Sequence, residues 1–149
     1  MSGKLIAQNR KAYHNYHIIE EFEAGIVLMG TEVKAIREHR VNLGDSFARV
    51  RAGEVWLENC HIGPYTHGNL ENHEPRRSRK LLLHRREIKK LLRKTTRQGL
   101  TLIPLSIYFT RGKAKLKIAL AKGKKLYDKR EAKKRKVIER EIQAQLKGN

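Results

Sequence analysis

Apolar and polar positions divide the chain into short strand-like stretches, two helical ones and a polar remainder. His17 to Leu28 is rich in strand formers (Ile18, Ile19, Phe22, Ile26, Val27, Leu28), and Gly25 interrupts it as a bend or bulge at a barrel corner would. Ser46 to Arg51 and Glu54 to Ile62 flank Ala52-Gly53, a turn signal between two strands. Phe47, Val50, Val55, Trp56 and Leu57 alternate imperfectly there, so the pattern leaves open which rings face the core. Leu100 to Phe109 and Ala114 to Ala121 flank a second turn, Thr110-Arg111-Gly112-Lys113. In the later strand Leu116, Ile118 and Leu120 alternate with Lys115, Lys117 and Ala119, so one face is core and the other begins with lysines. Pro104 has no N–H to donate and belongs at an edge or a bulge.

Two stretches change period. Thr31 to Arg40 predicts a short amphipathic helix, with Thr31 as N-cap, Glu32 at the positive end of the dipole, and Val33 and Ile36 on one face. Leu81 to Gln98 predicts another, with Leu81, Leu82, Ile88, Leu91 and Leu92 as its stripe and Gly99 just past its end. Ser2 to Lys11 reads as a polar, mobile arm, and Gly63 to Glu74 as a loop. Beyond Gly123 the apolar signal thins to Ile138, Ile142 and Leu146, four residues apart. Arg130 to Lys147 can wind into a helix, but one with so thin a stripe is marginal in water. The pattern therefore predicts a mainly β, barrel-like domain with helices over residues 1–122. A tail over residues 123–149 follows, disordered when free and helical when bound.

Charge says what binds it. Among 149 residues, 34 lysines and arginines stand against 15 acidic residues, a net +19. From Arg111 onward 15 basic residues face only four acidic ones, which places +11 in the last quarter of the chain. Such a segment has too little apolar surface to fold alone and calls for a polyanion. No apolar run approaches the roughly 20 residues that span a bilayer. The N-terminus has no apolar segment of secretory type, and the single cysteine, Cys60, cannot form an internal disulfide. The expectation is a soluble cytoplasmic protein with a nucleic-acid partner and no membrane.

Candidate chemistry points to binding. His14 and His17, the closest histidine pair, have no Cys, Asp or Glu at metal-site spacing, and the chain shows no nucleophile elbow or phosphate-cradling glycine loop. Gly123-Lys124-Lys125 lacks the upstream glycine and the Ser or Thr of a P-loop. Cys60 reads as a small core residue, and Glu32 has no second carboxylate for acid–base work. No enzyme, metal or cofactor is expected. By contrast, Asn9-Arg10-Lys11 runs into Tyr13, His14, Tyr16 and His17, where cations suit phosphates and rings suit bases. Those rings equally suit packing at a barrel end, and composition leaves both readings open. The cations of Pro75-Arg76-Arg77-Ser78-Arg79-Lys80 suit either phosphate contacts or a solvated face. Composition alone does not separate a tRNA-family binder from a structural ribosomal protein with a basic extension.

Motifs narrow these. Asn9-Arg10-Lys11-Ala12 with His14 and Tyr16, Phe22 to Leu28, Gly30 to Arg37, and Asp45-Ser46-Phe47 form one series. Arg77 to His84, Glu87-Ile88, Pro104-Leu105, Tyr108, Gly112, Ala121 to Lys125 and Asp128-Lys129-Arg130 continue it. In this order, over nearly the whole chain, they closely resemble the SsrA-binding protein (small protein B) family of bacterial trans-translation. The resemblance implies an oligonucleotide-binding-like antiparallel β-barrel with about three helices. It implies binding to the tRNA-like domain of transfer-messenger RNA and entry into ribosomes stalled on messenger without a usable codon. The protein would be a monomer on its RNA, alongside alanyl-tRNA synthetase and elongation factor Tu, which do the chemistry with the ribosome. By position it implies an RNA-binding surface of Asn9, His14 and Glu32, with Arg10 and Lys11 beside them and Lys34 and Arg37 on the same helix as Glu32. Arg77, Arg79 and Lys80 are expected as phosphate contacts. Glu32 would accept hydrogen bonds from a base edge, with stabilisation of a helix dipole as the alternative. The tail residues Lys124, Lys125, Tyr127, Asp128, Lys129, Arg130, Lys133, Lys134 and Ile138 would meet small-subunit rRNA at the decoding centre and messenger channel. Two positions depart from the family pattern. Tyr127 stands where many relatives carry histidine, which keeps a stacking surface but loses the imidazole's titration, and Ala35 replaces a common serine.

Overall fold

The computed structural model describes residues 3–65, 72–125 and 140. Its elements run β1 (Lys4–Gln8), α1 (Arg10–Asn15), β2 (Tyr16–Ile26), α2 (Gly30–Arg37), β3 (Val41–Asn42), β4 (Phe47–Arg51), β5 (Glu54–Glu58), β6 (His61–Ile62), β7 (Arg79–Leu82), α3 (Arg85–Arg97), β8 (Thr101–Thr110) and β9 (Lys113–Gly123). The main sheet has the order β1-β8-β4-β5-β7-β2-β9, and β8 also pairs with β9. Six strands thus close on themselves, every pairing antiparallel, while β1 continues the sheet beside β8. β3 and β6 form a separate small pair. This is the mainly β small barrel with three helices that pattern and resemblance predict.

Turn chemistry sets two of its hairpins. Ala52 and Gly53 (φ 52° and 76°) join β4 to β5, and Arg111 and Gly112 (φ 51° and 75°) join β8 to β9. Two successive left-handed residues match the twist of a tight antiparallel hairpin, and a glycine in the second place accepts that geometry at no steric cost. The interior follows from alternation on β9. Leu116, Ile118 and Leu120 enter the barrel core, while Ala119 and Ala121 face outward into a second, smaller core with Ala12, Ile103 and Leu105. β8 serves both cores because its register with β9 slips between Pro104 and Ser106. The slip turns Leu102 and Ile107 inward and Ile103 and Leu105 outward. Pro104 sits at this irregularity, as its missing N–H requires.

Several expectations are corrected. From Lys4 on, the N-terminal arm is a strand: β1 pairs with β8 from Lys4↔Phe109 to Gln8↔Ser106, and Ile6 and Ala7 pack on the barrel core. The bulge in β2 lies between Ile18 and Glu20, not at Gly25. α2 starts at Gly30 with Met29 at the N-cap, so Thr31 is inside the helix and Glu32 is its third residue. α3 starts at Arg85; Leu81 and Leu82 belong to β7, whose pairing with β5 and β2 closes the barrel. Of the predicted stripe, only Leu91 is fully buried within α3, and Leu92 is exposed. Sheet closure overrode a helix-like run of leucines. The predicted tail helix, and Tyr127, Asp128, Lys129, Arg130, Lys133, Lys134 and Ile138 with it, lie outside the described residues. Arg140 alone is described, helical and exposed.

Candidate RNA-binding surface

α1 is seated by its one small apolar residue. Ala12 is buried against Ile103, Leu105, Ala119 and Ala121, and the three alanines let a short helix approach the sheet closely. With Ala12 inward, Arg10, Lys11 and Tyr13 face solvent and His14 is half-buried. Asn9 anchors the helix's entry: its backbone N–H donates to the Leu105 carbonyl (2.7 Å) and its amide to the Pro104 carbonyl (2.9 Å). At 7% exposure, Asn9 holds the cations in place more than it presents itself. Tyr16 packs on the smaller core, as the packing reading of the rings expects, while Tyr13 stays outside. Burial and, second, the charge of Glu21 push the Tyr13 phenol up, which keeps it neutral.

The end of β9 returns to this helix. The Lys124 N–H donates to the Asn15 carbonyl (2.8 Å) and its ammonium to the Tyr13 carbonyl (3.3 Å). Exposed Lys122, which the motif reading did not single out as a contact, sits opposite His17 in the β2–β9 register. Arg10 and Lys11 on α1 thus lie near Lys122 and Lys124 at the end of β9. Body and tail candidates that are distant in sequence are neighbours in space. Further along the sheet, Glu21 faces Lys117 (3.8 Å) and Glu20 pairs with Lys90 (2.7 Å). These carboxylates offset the two lysines they face.

The second predicted cluster is mostly interior. Glu32 is 0% exposed, and so is Arg79. One carboxylate oxygen of Glu32 accepts from the Met29 N–H (2.7 Å) and from Arg77; the other accepts from Arg77 Nε (3.1 Å) and from Arg79 Nε. Arg79 also donates to the carbonyls of Cys60 (2.7 Å) and Pro75 (3.1 Å). Burial pushes the Glu32 carboxyl up, but the hydrogen bonds from Arg77, Met29 and Arg79, with the Arg79 charge, outweigh it and hold the group below its ordinary value. Of the residues expected to meet a base edge and a phosphate, Glu32 and Arg79 present no charge to solvent in this fold. Arg77 is half-buried on Glu32, and Lys80 is half-exposed and paired with Glu54 (2.9 Å). Exposed Lys34 and Arg37 lie over the rings of Tyr65 (5.2 Å) and Phe109 (5.5 Å). Nearby, His73 bridges the Thr31 hydroxyl (2.9 Å) and the Ile62 carbonyl (2.8 Å), tying the segment before Arg77 to α2. Burial pushes the Cys60 thiol up to about 11 despite the opposing charge of Arg79, and it stays protonated in the core.

Among the described residues no three His, Cys, Asp or Glu side chains converge as a metal cage would need, and no helix is long and apolar enough to cross a membrane. What converges is cationic: a short helix and a strand end on a small closed barrel, with the exposed ring of Tyr13. That combination defines the class, a nucleic-acid-binding barrel in which cations meet phosphates and a ring offers a stacking face.

The chain belongs to the SmpB family, whose model, described as SmpB protein, matches residues 6–148. The SsrA-binding protein of Syntrophobacter fumaroxidans is 64% identical, covering 93% of this chain and 86% of the relative. That of Carboxydothermus hydrogenoformans is 60% identical and covers 97% of each. A solved structure described as "tmRNA-SmpB: a journey to the center of the bacterial ribosome" matches with a TM-score of 0.68 at 53% identity. That match covers 80% of this chain and 85% of the other.

Proposed function

We propose that this chain binds the tRNA-like domain of transfer-messenger RNA through its barrel and brings it to stalled ribosomes for trans-translation. In this reading the tail meets small-subunit rRNA at the decoding centre and in the vacant messenger channel. Support comes from relatives named SsrA-binding proteins and from a structural neighbour described as tmRNA-SmpB in the bacterial ribosome. The observation that carries the division of labour is the meeting of α1 with the root of the tail through Lys124. From there one surface holds RNA while the tail departs towards a second polyanion.

Arg10, Lys11, Lys122 and Lys124 neutralise phosphates, Tyr13 offers a ring to a base, and Lys34 and Arg37 extend the contact along α2. Asn9, Glu32 and Arg79 position these groups from within the fold. The chain contributes binding and geometry, and works in the cytoplasm as a monomer on its RNA. Alanyl-tRNA synthetase and elongation factor Tu act on the same RNA.

Truncation tests the division. A chain ending at Leu126 should keep its affinity for a tRNA-like-domain transcript within a few-fold, and should lose peptide tagging on ribosomes stalled in a reconstituted translation system. Loss of specific transcript binding on truncation would contradict the assignment of RNA recognition to the barrel.

A further inference from the structure

The motif Asp45-Ser46-Phe47 takes no part in the surface described so far, yet it forms one wall of a cleft. Opposite it stands α1, with Lys11 and Asn15; Thr101 and Ile103 of β8 also line the cleft. Its volume is about 280 Å³. Sites for whole small-molecule ligands begin near roughly 300 Å³, so this one suits a single flat base. We propose that the cleft receives one unstacked nucleobase of the bound RNA and that guanine is its preferred occupant. This rests on the reading of the chain as an RNA-binding protein and specifies what its barrel reads.

Each part of the cleft has a role such a base needs. Phe47 is 42% exposed, a large ring left uncovered beside an apolar wall of Ala12 and Ile103. Unstacked RNA bases are held by stacking on such rings and by hydrogen bonds to their edges. Lys11 at the rim suits the phosphate attached to the base. Asp45 is the unexpected member. Its carboxylate is exposed and makes no ion pair or side-chain hydrogen bond among the described residues, in a chain of net charge +19. Against a phosphate backbone it is repulsive; against a base edge it is an acceptor with two oxygens. Guanine presents two adjacent donors, N1–H and the N2 amino group, and matches both oxygens at once. Adenine, cytosine and uracil set an acceptor beside their donor on that edge.

The walls are built before any base arrives. Asp45 adopts a left-handed backbone (φ 64°), its carbonyl accepts from the Asn59 amide (3.1 Å), and the preceding Gly44 N–H donates to Asn42 Oδ1 (2.8 Å). On the other side Asn9 pins α1 to the Pro104–Leu105 bulge.

The test titrates the full chain, at physiological salt, with the RNA pentamer UUGUU and with its variants carrying A, C or U at the centre. The guanine pentamer should bind about tenfold tighter, the discrimination expected of a bidentate contact. Asp45→Asn, which tolerates the same backbone conformation, should abolish that preference while leaving the other pentamers bound as tightly or more tightly. Phe47→Ala should weaken all four pentamers about tenfold, and Phe47→Tyr should restore them. Thermal melting near that of wild type shows each variant folded. Equal affinity for the four pentamers, or a guanine preference that survives Asp45→Asn, overturns the inference. A guanine preference in a chain that binds the tRNA-like domain no better than ordinary tRNA would retain the cleft and remove the larger reading instead.

Discussion

Glu32 is a buried carboxylate whose cations, Arg77 and Arg79, come from 45 and 47 residues further along the chain. Taking one partner out of such a cluster leaves a buried guanidinium uncompensated, so Glu32→Ala should lower the unfolding free energy by roughly 3–5 kcal/mol in denaturant titration. Its pH dependence has a definite sign. The folded carboxyl titrates below the unfolded value of about 4.3, so its contribution is complete above that value and is lost as pH falls through the depressed folded one. The stability gap between wild type and Glu32→Gln should be widest at neutral pH and should narrow below about pH 4. A gap that widens on acidification would contradict the ion-pair role. The sequence shows that Glu32 opens a helix, and the dipole reading of it holds, since its carboxylate takes the Met29 N–H. Its partners were not legible, because nothing local marks Arg79 as interior rather than as one more cation in a basic run.

At the scale of elements, the seat of α1 decides where the cations stand. Ala119 and Ala121 are small on the outer face of β9, and Ala12 fills the space between. Ala119→Leu should overpack that contact at a cost of about 1–3 kcal/mol. RNA affinity should fall as the helix lifts, although no charge has changed; affinity equal to wild type would show that α1's position is immaterial. The alternation of β9 was readable residue by residue, down to the lysines at its start. The outward alanines were visible too, but not their purpose, which depends on a helix about a hundred residues earlier. Leu81 and Leu82 read as helical because leucine favours helices and the stretch runs on into α3 at Arg85. β1 is not legible in the sequence because five residues with only three apolar side chains form a strand only where β8 offers an unpaired edge.

For the whole molecule, the distribution of charge is the working feature. Carboxylates on β2 offset Lys90 of α3 and Lys117 of β9, and Arg10, Lys11, Lys122 and Lys124 gather where α1 meets the end of β9. Binding to RNA should therefore weaken steeply with salt. Lys11→Ala and Lys122→Ala should each reduce the slope of log K against log salt by about one. Lys90→Ala, at a group already paired with Glu20, should leave it nearly unchanged. Equal slopes for all three variants would place the RNA elsewhere. Net charge alone announces a polyanion partner, and pattern and motifs together supply the barrel. Closure through the two-residue pairing of β2 with β7 was not legible, because periodicity fixes the face of a strand and not its neighbour.

The most direct measurement is competition at physiological salt, with the full chain bound to a labelled tRNA-like-domain transcript and challenged with unlabelled transcript, elongator tRNA or an rRNA hairpin of equal length. Specificity above the electrostatic background should appear as displacement by transcript at concentrations at least about a hundredfold below those the other RNAs require. Equal competition by all three would reduce the chain to a general cationic RNA binder and contradict the account.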